Sequence, residues 1–263
     1  MDLGLDNKTV LVAAASEGLG AAVAHRFGQE GANLVICSRD PERVEARAAD
    51  IMRFTGARVL PMTVDVTDRI QIQQMVDATV EEFGKIDILI TNAGGPRPGS
   101  FLDLAHDDFE NAFQLTLMSA VNLCYAVVPV MLEQGGGSIV TITSVSVKQP
   151  IDNLTLSNSV RMAVVGLTKT LANELGPKGI RVNTVLPGWT RTGRVDELLQ
   201  ARARKSGKSV EEEMQMIAGA FPLGRMAEPD EFARATVFIA SPAASYIHGV
   251  ALPVDGGSIQ SSL

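Results

Sequence analysis

Short apolar runs alternate with amphipathic segments along the whole chain. Seven runs have the length and composition of strands: TVLVAAA at 9–15, ANLVICS at 32–38, ARVLPMTV at 57–64, IDILITNA at 86–93, GSIVTITS at 137–144, IRVNTVLP at 180–187 and GVALPV at 249–254. Their apolar residues are nearly continuous, which is typical of parallel strands buried on both faces. The repeated alternation predicts βαβ units and an α/β fold, with a doubly wound, mostly parallel seven-stranded sheet and helices on both faces.

Local capping signals mark the helices between these runs. Asp40 followed by Pro41 is typical of a helix start, and Gly56 follows the same predicted helix. Thr67 is predicted to cap the next helix, which ends at Gly84. These signals give the second and third predicted helices definite ends.

The segment at about 190–220 interrupts the alternation. Its sequence from 194 to 219, RVDELLQARARKSGKSVEEEMQMIAG, is polar and helical in character. We expect it to pack over a cleft as a substrate lid. No linker or repeat divides the chain, so residues 1–263 are predicted to form a single domain.

Composition and charge restrict the kind of protein. Of 263 residues, 46% are hydrophobic and 20% are charged, which is enough apolar material for one large core. The net charge of −7 argues against nucleic acid as a partner, because phosphate binding needs a basic face. No apolar run reaches the roughly 18 residues of a membrane span, so no membrane association is expected.

Cysteine and histidine usage adds two expectations. Cys37 and Cys124 are each flanked by apolar residues, which favours buried structural thiols over a disulfide or a reactive site. Without a disulfide framework or a signal-peptide core, we expect a cytoplasmic protein. The histidines, His25, His106 and His248, are scattered along the chain, so we predict no metal site.

A glycine-rich turn joins the first predicted strand to a helix. The candidate contact residues in it are Ala14, Ser16, Glu17, Gly18, Leu19 and Gly20. Backbone amides in such a turn, at a helix N-terminus, can bind the pyrophosphate of a dinucleotide. The alternative is a tight strand–helix turn without a ligand. Alanine at position 14 suits ligand binding only if its φ is negative and its methyl group clears the ligand.

The end of the second predicted strand carries another candidate contact. An acidic residue at this point binds ribose hydroxyls and selects NAD, whereas an arginine pairs with a 2′-phosphate and selects NADP. Ser38 and Arg39 therefore favour NADP(H), with NAD(H) as the alternative cofactor. Arg39 could also be an ordinary surface arginine, and Glu17 would not help to bind a phosphate.

The chain resembles the short-chain dehydrogenase/reductase family. Asn92, Ala93 and Gly94 follow the fourth predicted strand and match the N-N-A-G motif of that family, with Thr91 in its first position. The glycine turn matches T-G-x-x-x-G-x-G, with alanines at the first two positions. The segments at 187–192, PGWTRT, and 249–257, GVALPVDGG, resemble the regions around the last two strands of the family.

This resemblance covers almost the whole chain and implies a Rossmann-type NAD(P)-binding domain. It implies that Asp65 and Val66 contact the adenine, and that Asn92, Ala93 and Gly94 border the cofactor. It also implies contacts to the nicotinamide carboxamide from the segment after the sixth strand, namely Pro187, Gly188, Thr190 and Thr192.

The resemblance also locates a catalytic segment that departs from the family pattern. In the family a serine is followed thirteen residues later by a tyrosine and then four later by a lysine, and an asparagine on the preceding long helix organises a relay water. The corresponding residues here are Ser144, Ser157, Arg161 and Thr116. An aliphatic alcohol is a far weaker acid than a phenol, and arginine does not donate a proton near pH 7. Ser144, Ser157 and Arg161 are therefore predicted to bind ribose and polarise a substrate.

Two basic residues are further candidates. Lys148 lies between Ser144 and Ser157 and could donate a proton or bind an anion, although a solvated loop lysine is the simpler interpretation. Arg97 lies in a proline-stiffened loop after the fourth strand and could contact substrate, or be a surface arginine. Together they suggest a carboxylate- or phosphate-bearing substrate.

Two functions of different classes remain open from the sequence. The first is an NADP(H)-preferring oxidoreductase acting on a small-molecule carbonyl or alcohol. General similarity to 3-oxoacyl-[acyl carrier protein] reductases and sugar dehydrogenases fixes no substrate. The second is a nucleotide-binding protein without dehydrogenase activity, as a redox sensor or assembly subunit. The predicted helices at about 107–131 and 156–175 have broad apolar faces, and the resemblance implies a homotetramer, with a dimer as the alternative.

Overall fold

The computed structural model describes residues 1–261 and contains a seven-stranded sheet. The strands are β1 (Thr9–Val12), β2 (Asn33–Ser38), β3 (Val59–Thr63), β4 (Ile88–Thr91), β5 (Gly137–Ile142), β6 (Ile180–Pro187) and β7 (Ala251–Val254). Their order is β3-β2-β1-β4-β5-β6-β7, and every neighbouring pair is parallel. The predicted doubly wound α/β fold is confirmed.

Helices cover both faces of this sheet. They are α1 (Gly18–Gln29), α2 (Pro41–Thr55), α3 (Arg69–Phe83), α4 (His106–Phe113), α5 (Ser119–Glu133), α6 (Thr155–Leu175), α7 (Gly193–Ser206), α8 (Val210–Gly219) and α9 (Pro229–Ala240). Val10 and Val12 point into a core shared with α1, α2 and α9, whereas Leu11 points into a core shared with α3, α5 and α6. This two-sided burial explains why the strand sequences are continuously apolar.

The capping signals hold for α2 and need one correction for α3. The Asp40 side chain accepts a hydrogen bond of 3.1 Å from an amide in the first turn of α2, and Gly56 ends that helix with a φ of 74°. The N-cap of α3 is Asp68 rather than Thr67. The Asp68 side chain accepts hydrogen bonds from the amides of Ile70 and Gln71, whereas the Thr67 hydroxyl is directed to Asp65, to which it donates at 2.8 Å.

The helix expected over 107–131 is divided into α4 and α5. A π-helical turn, Gln114–Met118, separates them, and such turns occur often at functional sites. Together α4, the π-helical turn and α5 form one continuous helical run, His106–Glu133. By length and composition alone, this run is long and apolar enough to cross a membrane. In this fold it is a core helix on its inner side, where Leu123, Val127 and Met131 pack under the sheet.

A half-buried guanidinium fixes the end of α9 to the sheet. Arg181, on β6, donates hydrogen bonds of 2.9–3.0 Å to the last carbonyl groups of α9 and the turns that follow: Ile239, Ala240, Ser241 and Ile247. Burial lowers the pKa of Arg181. These bonds satisfy helix carbonyls that would otherwise lack partners.

Candidate functional site

A cavity of about 590 Å³ opens at the carboxyl ends of the strands, where the strand order reverses between β1 and β4. Doubly wound sheets bind ligands at this switch point. We call the part lined by Ala14, 16–19, 38–40, Arg43 and 64–66 the outer half, because these residues follow β1, β2 and β3. The inner half follows β4, β5 and β6, and its lining comes from 92–96, Leu115, 142–144, Leu154, Ser157, Arg161, Pro187, Gly188, Thr190, 192–195 and Leu198.

Most residues predicted to bind the cofactor line this one cavity. They are Ala14, Ser16, Glu17, Gly18, Leu19, Ser38, Arg39, Asp65, Val66, Asn92, Ala93, Gly94, Arg161, Pro187, Gly188, Thr190 and Thr192. They come from five strand ends and from α6, so the fold assembles them from most of the length of the chain.

The glycine turn is shaped for close backbone approach. Gly18 has a φ of 59°, in the left-handed region that favours glycine. Gly20 lies behind the cavity lining, and a Cβ there would be 2.4 Å from the Ala14 carbonyl oxygen. No side chain caps the N-terminus of α1, which leaves helix amides available to an anion. The outer half therefore fits a dinucleotide pyrophosphate.

Ala14 does not have the negative φ expected of it. Its φ is 48°, a left-handed conformation that costs a non-glycine residue about 1–2 kcal/mol. The Asn92 side chain donates a 3.1 Å hydrogen bond to the Ala14 carbonyl oxygen. This bond across the β1–β4 switch point holds the strained turn in place.

The outer half has an ion-paired arginine that sequence reasoning missed. Arg43 contacts Glu17 at 3.1 Å and Asp40 at 3.2 Å, and all three line the cavity with Ser38 and Arg39. Arg43 lies in the first turn of α2, five residues after Ser38. A second cation near Arg39 could have been found by placing the first turn of α2 over the end of β2.

Asp65 is held as a carboxylate at the far side of the outer half. Burial works to raise its pKa, but hydrogen bonds from the amide and hydroxyl of Thr67, with the charge of Arg39, lower the pKa overall. Asp65 and Arg39 therefore present opposite charges to whatever enters between β2 and β3.

The serines of the inner half form a connected group. Ser144 Oγ accepts a 3.1 Å hydrogen bond from the amide of Ser146, and Ser146 Oγ lies 3.4 Å from Ser157 Oγ. A short 3₁₀ turn, Val145–Val147, buries Ser146 and sets this spacing. The described residues provide no acceptor for the Ser144 hydroxyl proton, and Ser144 lines the cavity, so this proton can be donated to a bound molecule.

Arg161 reaches back from α6 to the end of β5. Its Nη1 donates to the carbonyl oxygen of Thr143 at 3.0 Å and lies 3.5 Å from that of Ile142. Among the described residues it forms no ion pair. Burial and the positive charge of Arg194 lower the pKa of Arg161 to about 10. The guanidinium stays cationic at neutral pH without a neutralising acid.

Two buried hydroxyls near this group are unsatisfied. Thr116, in the π-helical turn, and Thr143, beside Ser144, each have an Oγ1 with no hydrogen-bond partner in the described part of the chain. Thr116 does not line the cavity; its neighbour Leu115 does. Unsatisfied buried polar atoms are uncommon in native proteins and call for a bound water or a functional role.

The two predicted substrate cations lie outside the cavity. Lys148 follows the buried 3₁₀ turn and is exposed, because that turn directs its own three residues inward and the next residue outward. Arg97 is 60% exposed and pairs with Asp108 at 2.7 Å. This pairing draws Arg97 towards α4, so these residues do not form the expected anion site.

Arg194 lines the cavity where Lys148 and Arg97 were expected to supply positive charge. It lies in the first turn of α7, lines the inner half, and donates a hydrogen bond to the carbonyl oxygen of Pro96 across the cavity. A Cβ at residue 95 would be 2.7 Å from Arg194 Nε, so Gly95 leaves the space that the arginine occupies. The separation of 98 residues explains why the sequence alone gave no signal for this contact.

The predicted lid segment consists of α7 and α8. Thr192 caps α7, and a Cβ at Gly18 would lie 3.8 Å from its methyl carbon, so the start of α7 sits against the glycine turn. The two helices are joined by a 2.6 Å hydrogen bond from Ser206 to the buried Glu213. Val195 and Leu198 line the inner half from this segment.

Comparisons with known proteins agree with the fold. A sequence model of the enoyl-(acyl carrier protein) reductase family matches residues 13–258. Oxidoreductase UcpA of Escherichia coli K12 is 36% identical over 97% of this chain and 95% of its own. The structure of L-sorbose reductase from Gluconobacter frateurii with NADPH and L-sorbose has a TM-score of 0.94 and 32% identity, and covers 99% of this chain and 100% of that chain.

A third relative was solved with the other nicotinamide cofactor. It is a 7α-hydroxysteroid dehydrogenase complexed with NADH and 7-oxo glycochenodeoxycholic acid, with a TM-score of 0.87, 32% identity, and coverage of 99% of this chain and 97% of that chain. Matches of this extent include every motif described above. The chain belongs to the short-chain dehydrogenase/reductase family, whose named relatives here are oxidoreductases.

Proposed function

We propose that this protein is an NADP(H)-preferring oxidoreductase that interconverts a carbonyl and an alcohol through a serine–arginine site. One observation carries the proposal: Ser144, Ser157 and Arg161 line the same cavity as the glycine turn. A substrate beside Ser144 and a dinucleotide bound at the glycine turn would therefore occupy the same cavity.

The preference for NADP(H) rests on the outer half. Ser38, Arg39 and Arg43 line it together, and arginine guanidinium groups suit a 2′-phosphate. Glu17 opposes this preference with its negative charge, but it is paired with Arg43. The two structural relatives bind NADPH and NADH respectively, so the family accommodates both cofactors.

The chain offers defined contacts to each part of the cofactor. The uncapped amides of α1 would hold the pyrophosphate, and Thr190 and Thr192 would border the nicotinamide side. The bound cofactor would supply or accept a hydride. Every other contribution comes from side chains of the inner half.

Ser144 and Arg161 would stabilise negative charge on a substrate oxygen. Ser144 has a free proton to donate, and Arg161 places its positive charge beside the backbone carbonyl that precedes Ser144. Preorganised donors of this kind stabilise developing charge, and loss of one costs about 10²–10³ in kcat in a well-studied case. Polarisation is thus the main catalytic contribution of this site.

The proton would come from solvent rather than from a side chain. Arg161 and Arg194 are the charged groups that line the inner half, and arginine is a poor proton donor at neutral pH. Ser157 is an aliphatic alcohol and too weak an acid to replace a phenol. The hydrogen-bond partner of Ser157 is the hydroxyl of Ser146, which is also too weak an acid to donate a proton near pH 7.

The charged lining of the inner half, Arg161 and Arg194, also supports a second candidate. This candidate is a nucleotide-binding protein without dehydrogenase activity. An inner half whose charged lining residues are both arginines would suit a redox sensor as well as an enzyme. Ser144 discriminates the two, because a sensor has no need of a free hydroxyl aimed at a substrate.

Binding and turnover measurements separate the two candidates. NADPH and NADH are titrated by fluorescence, and a panel of carbonyl compounds is then screened with the tighter cofactor. The enzyme proposal expects tighter NADPH binding, turnover of some carbonyl, and a large loss in Ser144→Ala. NADPH binding without turnover of any carbonyl would support the sensor. Activity gained by Ser157→Tyr with Arg161→Lys would then show that the scaffold itself is competent.

A homotetramer, or failing that a dimer, is part of the proposal. Exposed apolar side chains lie along α4, α5 and α6: Phe113, Tyr125, Leu132 and Met162. Tyr125 is 79% exposed, which is unusual for an aromatic residue on a helix of this apolar character. Light scattering should give the mass of four or two chains, and a monomer would contradict the proposal.

Cell fractionation tests the proposed cytoplasmic location.

A further inference from the structure

The charges that line the cavity are unevenly distributed. The acidic side chains Glu17, Asp40 and Asp65 all lie in the outer half. The charged residues of the inner half are Arg161 and Arg194, and both are cations. In a chain with a net charge of −7, this half of the cavity is locally positive.

Neither inner cation is fully neutralised by the protein. Arg161 has backbone carbonyls as its hydrogen-bond partners, and the described residues give it no carboxylate. Arg194 contacts the Pro96 carbonyl and Glu197 at 3.2 Å, but Glu197 is 69% exposed on α7 and its effect is weakened by solvent. A partly buried pair of like charges is unfavourable unless an anion joins it.

The two arginines are close enough to affect each other. Both line the inner half of the cavity, and the positive charge of Arg194 adds to burial in lowering the pKa of Arg161. Arg161 is anchored at the end of β5, and Arg194 extends from α7 to the loop after β4. An anionic group between them would relieve the repulsion and accept hydrogen bonds from both guanidinium forks.

We infer that the substrate carries a carboxylate, held between Arg161 and Arg194, next to the carbonyl or alcohol that reacts. This inference rests on the proposed function and specifies the substrate class. Apolar side chains border the same half, namely Leu115, Leu154, Val195 and Leu198. The substrate is therefore a 2-oxo or 3-oxo acid, or the matching hydroxy acid, with an apolar remainder.

The pyrophosphate of the cofactor is the competing anion. It has its own site in the glycine turn and at the uncapped N-terminus of α1, in the outer half. If Arg194 instead served the pyrophosphate, its loss would weaken cofactor binding and leave substrate preference unchanged. The experiment below therefore measures the two affinities separately.

The test compares matched acids and esters on protein loaded with NADP⁺, in which no carbonyl can be reduced. Calorimetry gives the affinities of 4-methyl-2-oxopentanoate and its methyl ester, and of several other 2-oxo and 3-oxo acids with their esters. The wild-type protein should bind at least one acid about tenfold more tightly than its ester. Arg194→Met and Arg161→Met should each remove most of this preference. Lys205→Met, on α7 but outside the cavity lining, is the matched control and should keep it.

Two results would overturn the inference. One is equal affinity for acid and ester in every pair, or failure of every acid to bind at millimolar concentration. The other is an Arg194→Met variant that keeps the acid preference but binds NADP⁺ more weakly, which would assign Arg194 to the cofactor. If NADP⁺ itself does not bind, the proposed function fails, and the same comparison on the cofactor-free protein still decides whether the arginine pair selects acids.

Discussion

The guanidinium of Arg161 donates a 3.0 Å hydrogen bond to the backbone carbonyl of Thr143, the residue immediately before Ser144. A side chain from the second turn of α6 is thus fixed at the end of β5. Because its partner is a carbonyl and not a carboxylate, its positive charge remains available. Ser144 and this charge together form the polarising part of the site.

Activity should depend on the cationic form of Arg161. Burial, with the charge of Arg194, lowers its pKa to about 10, so the cation is complete at neutral pH and is lost as the pH rises through this value. The pH profile of kcat/KM should be flat around neutrality and fall near pH 10. In Arg161→Lys the fall should move to lower pH, because lysine has the lower intrinsic pKa. A break between pH 6 and 8 would point to an acid that the site does not show.

Removing the charge of Glu17 should strengthen NADPH binding. Glu17 holds Arg43 at 3.1 Å in an exposed ion pair, and its loss frees a cation next to Ser38 and Arg39. Exposed pairs are weak, so the dissociation constant for NADPH should fall only about threefold in Glu17→Gln. NADH binding, measured in parallel by fluorescence, should not change. Glu30→Gln, which breaks an ion pair at the other end of α1, is the control; equal gains for both cofactors would contradict the explanation.

A methyl group at residue 95 should displace Arg194. The Cβ of Gly95→Ala would lie 2.7 Å from Arg194 Nε and 3.1 Å from its Cζ, so the guanidinium must move away from Pro96. The KM for an acid substrate should rise about tenfold while the melting temperature stays nearly constant. Gly166→Ala on α6, where a Cβ meets nothing within 4 Å, should leave KM unchanged. An unaltered KM in Gly95→Ala would show that the position of Arg194 is unimportant.

Replacing Ala14 by glycine should relieve backbone strain. The φ of 48° favours glycine, and this gain is partly offset by the greater freedom of glycine in the unfolded chain, so a net stabilisation of up to about 1 kcal/mol is expected. Chemical denaturation measures it. The neighbouring Ala15 is fully buried and has no left-handed backbone, so Ala15→Gly should destabilise the protein. A destabilised Ala14→Gly variant would mean that the methyl group packs usefully.

Local patterns predicted the fold well because the signals are short in range. Asp40 and Gly56 mark the ends of α2 through hydrogen bonds and dihedral angles within a few residues. The four-residue spacing from Ser157 to Arg161 lies within α6, and the thirteen-residue spacing from Ser144 to Ser157 spans one short 3₁₀ turn and the loop before that helix. The structure brings these three to one cavity as the resemblance implied.

The cations of the site were harder to predict because their contacts are remote in sequence. Arg97 looked fixed by neighbouring prolines, yet Asp108 pairs with it outside the cavity. Lys148 follows a turn whose buried residues direct it outward. Arg194 reaches Pro96 over 98 residues, a contact that depends on how α7 packs across the sheet. Only the tertiary structure shows that Arg194, and not Arg97 or Lys148, lines the cavity.

Isotope transfer tests the central claim most directly. NADPH carrying deuterium at the transferable C4 position is incubated with the protein and the panel of 2-oxo and 3-oxo acids, and the products are analysed by mass spectrometry. A serine–arginine reductase predicts a hydroxy acid with one deuterium on the carbinol carbon, and a rate at least about 10² lower in Ser144→Ala with unchanged NADPH affinity. NADPH that binds but transfers no deuterium to any carbonyl would contradict the account.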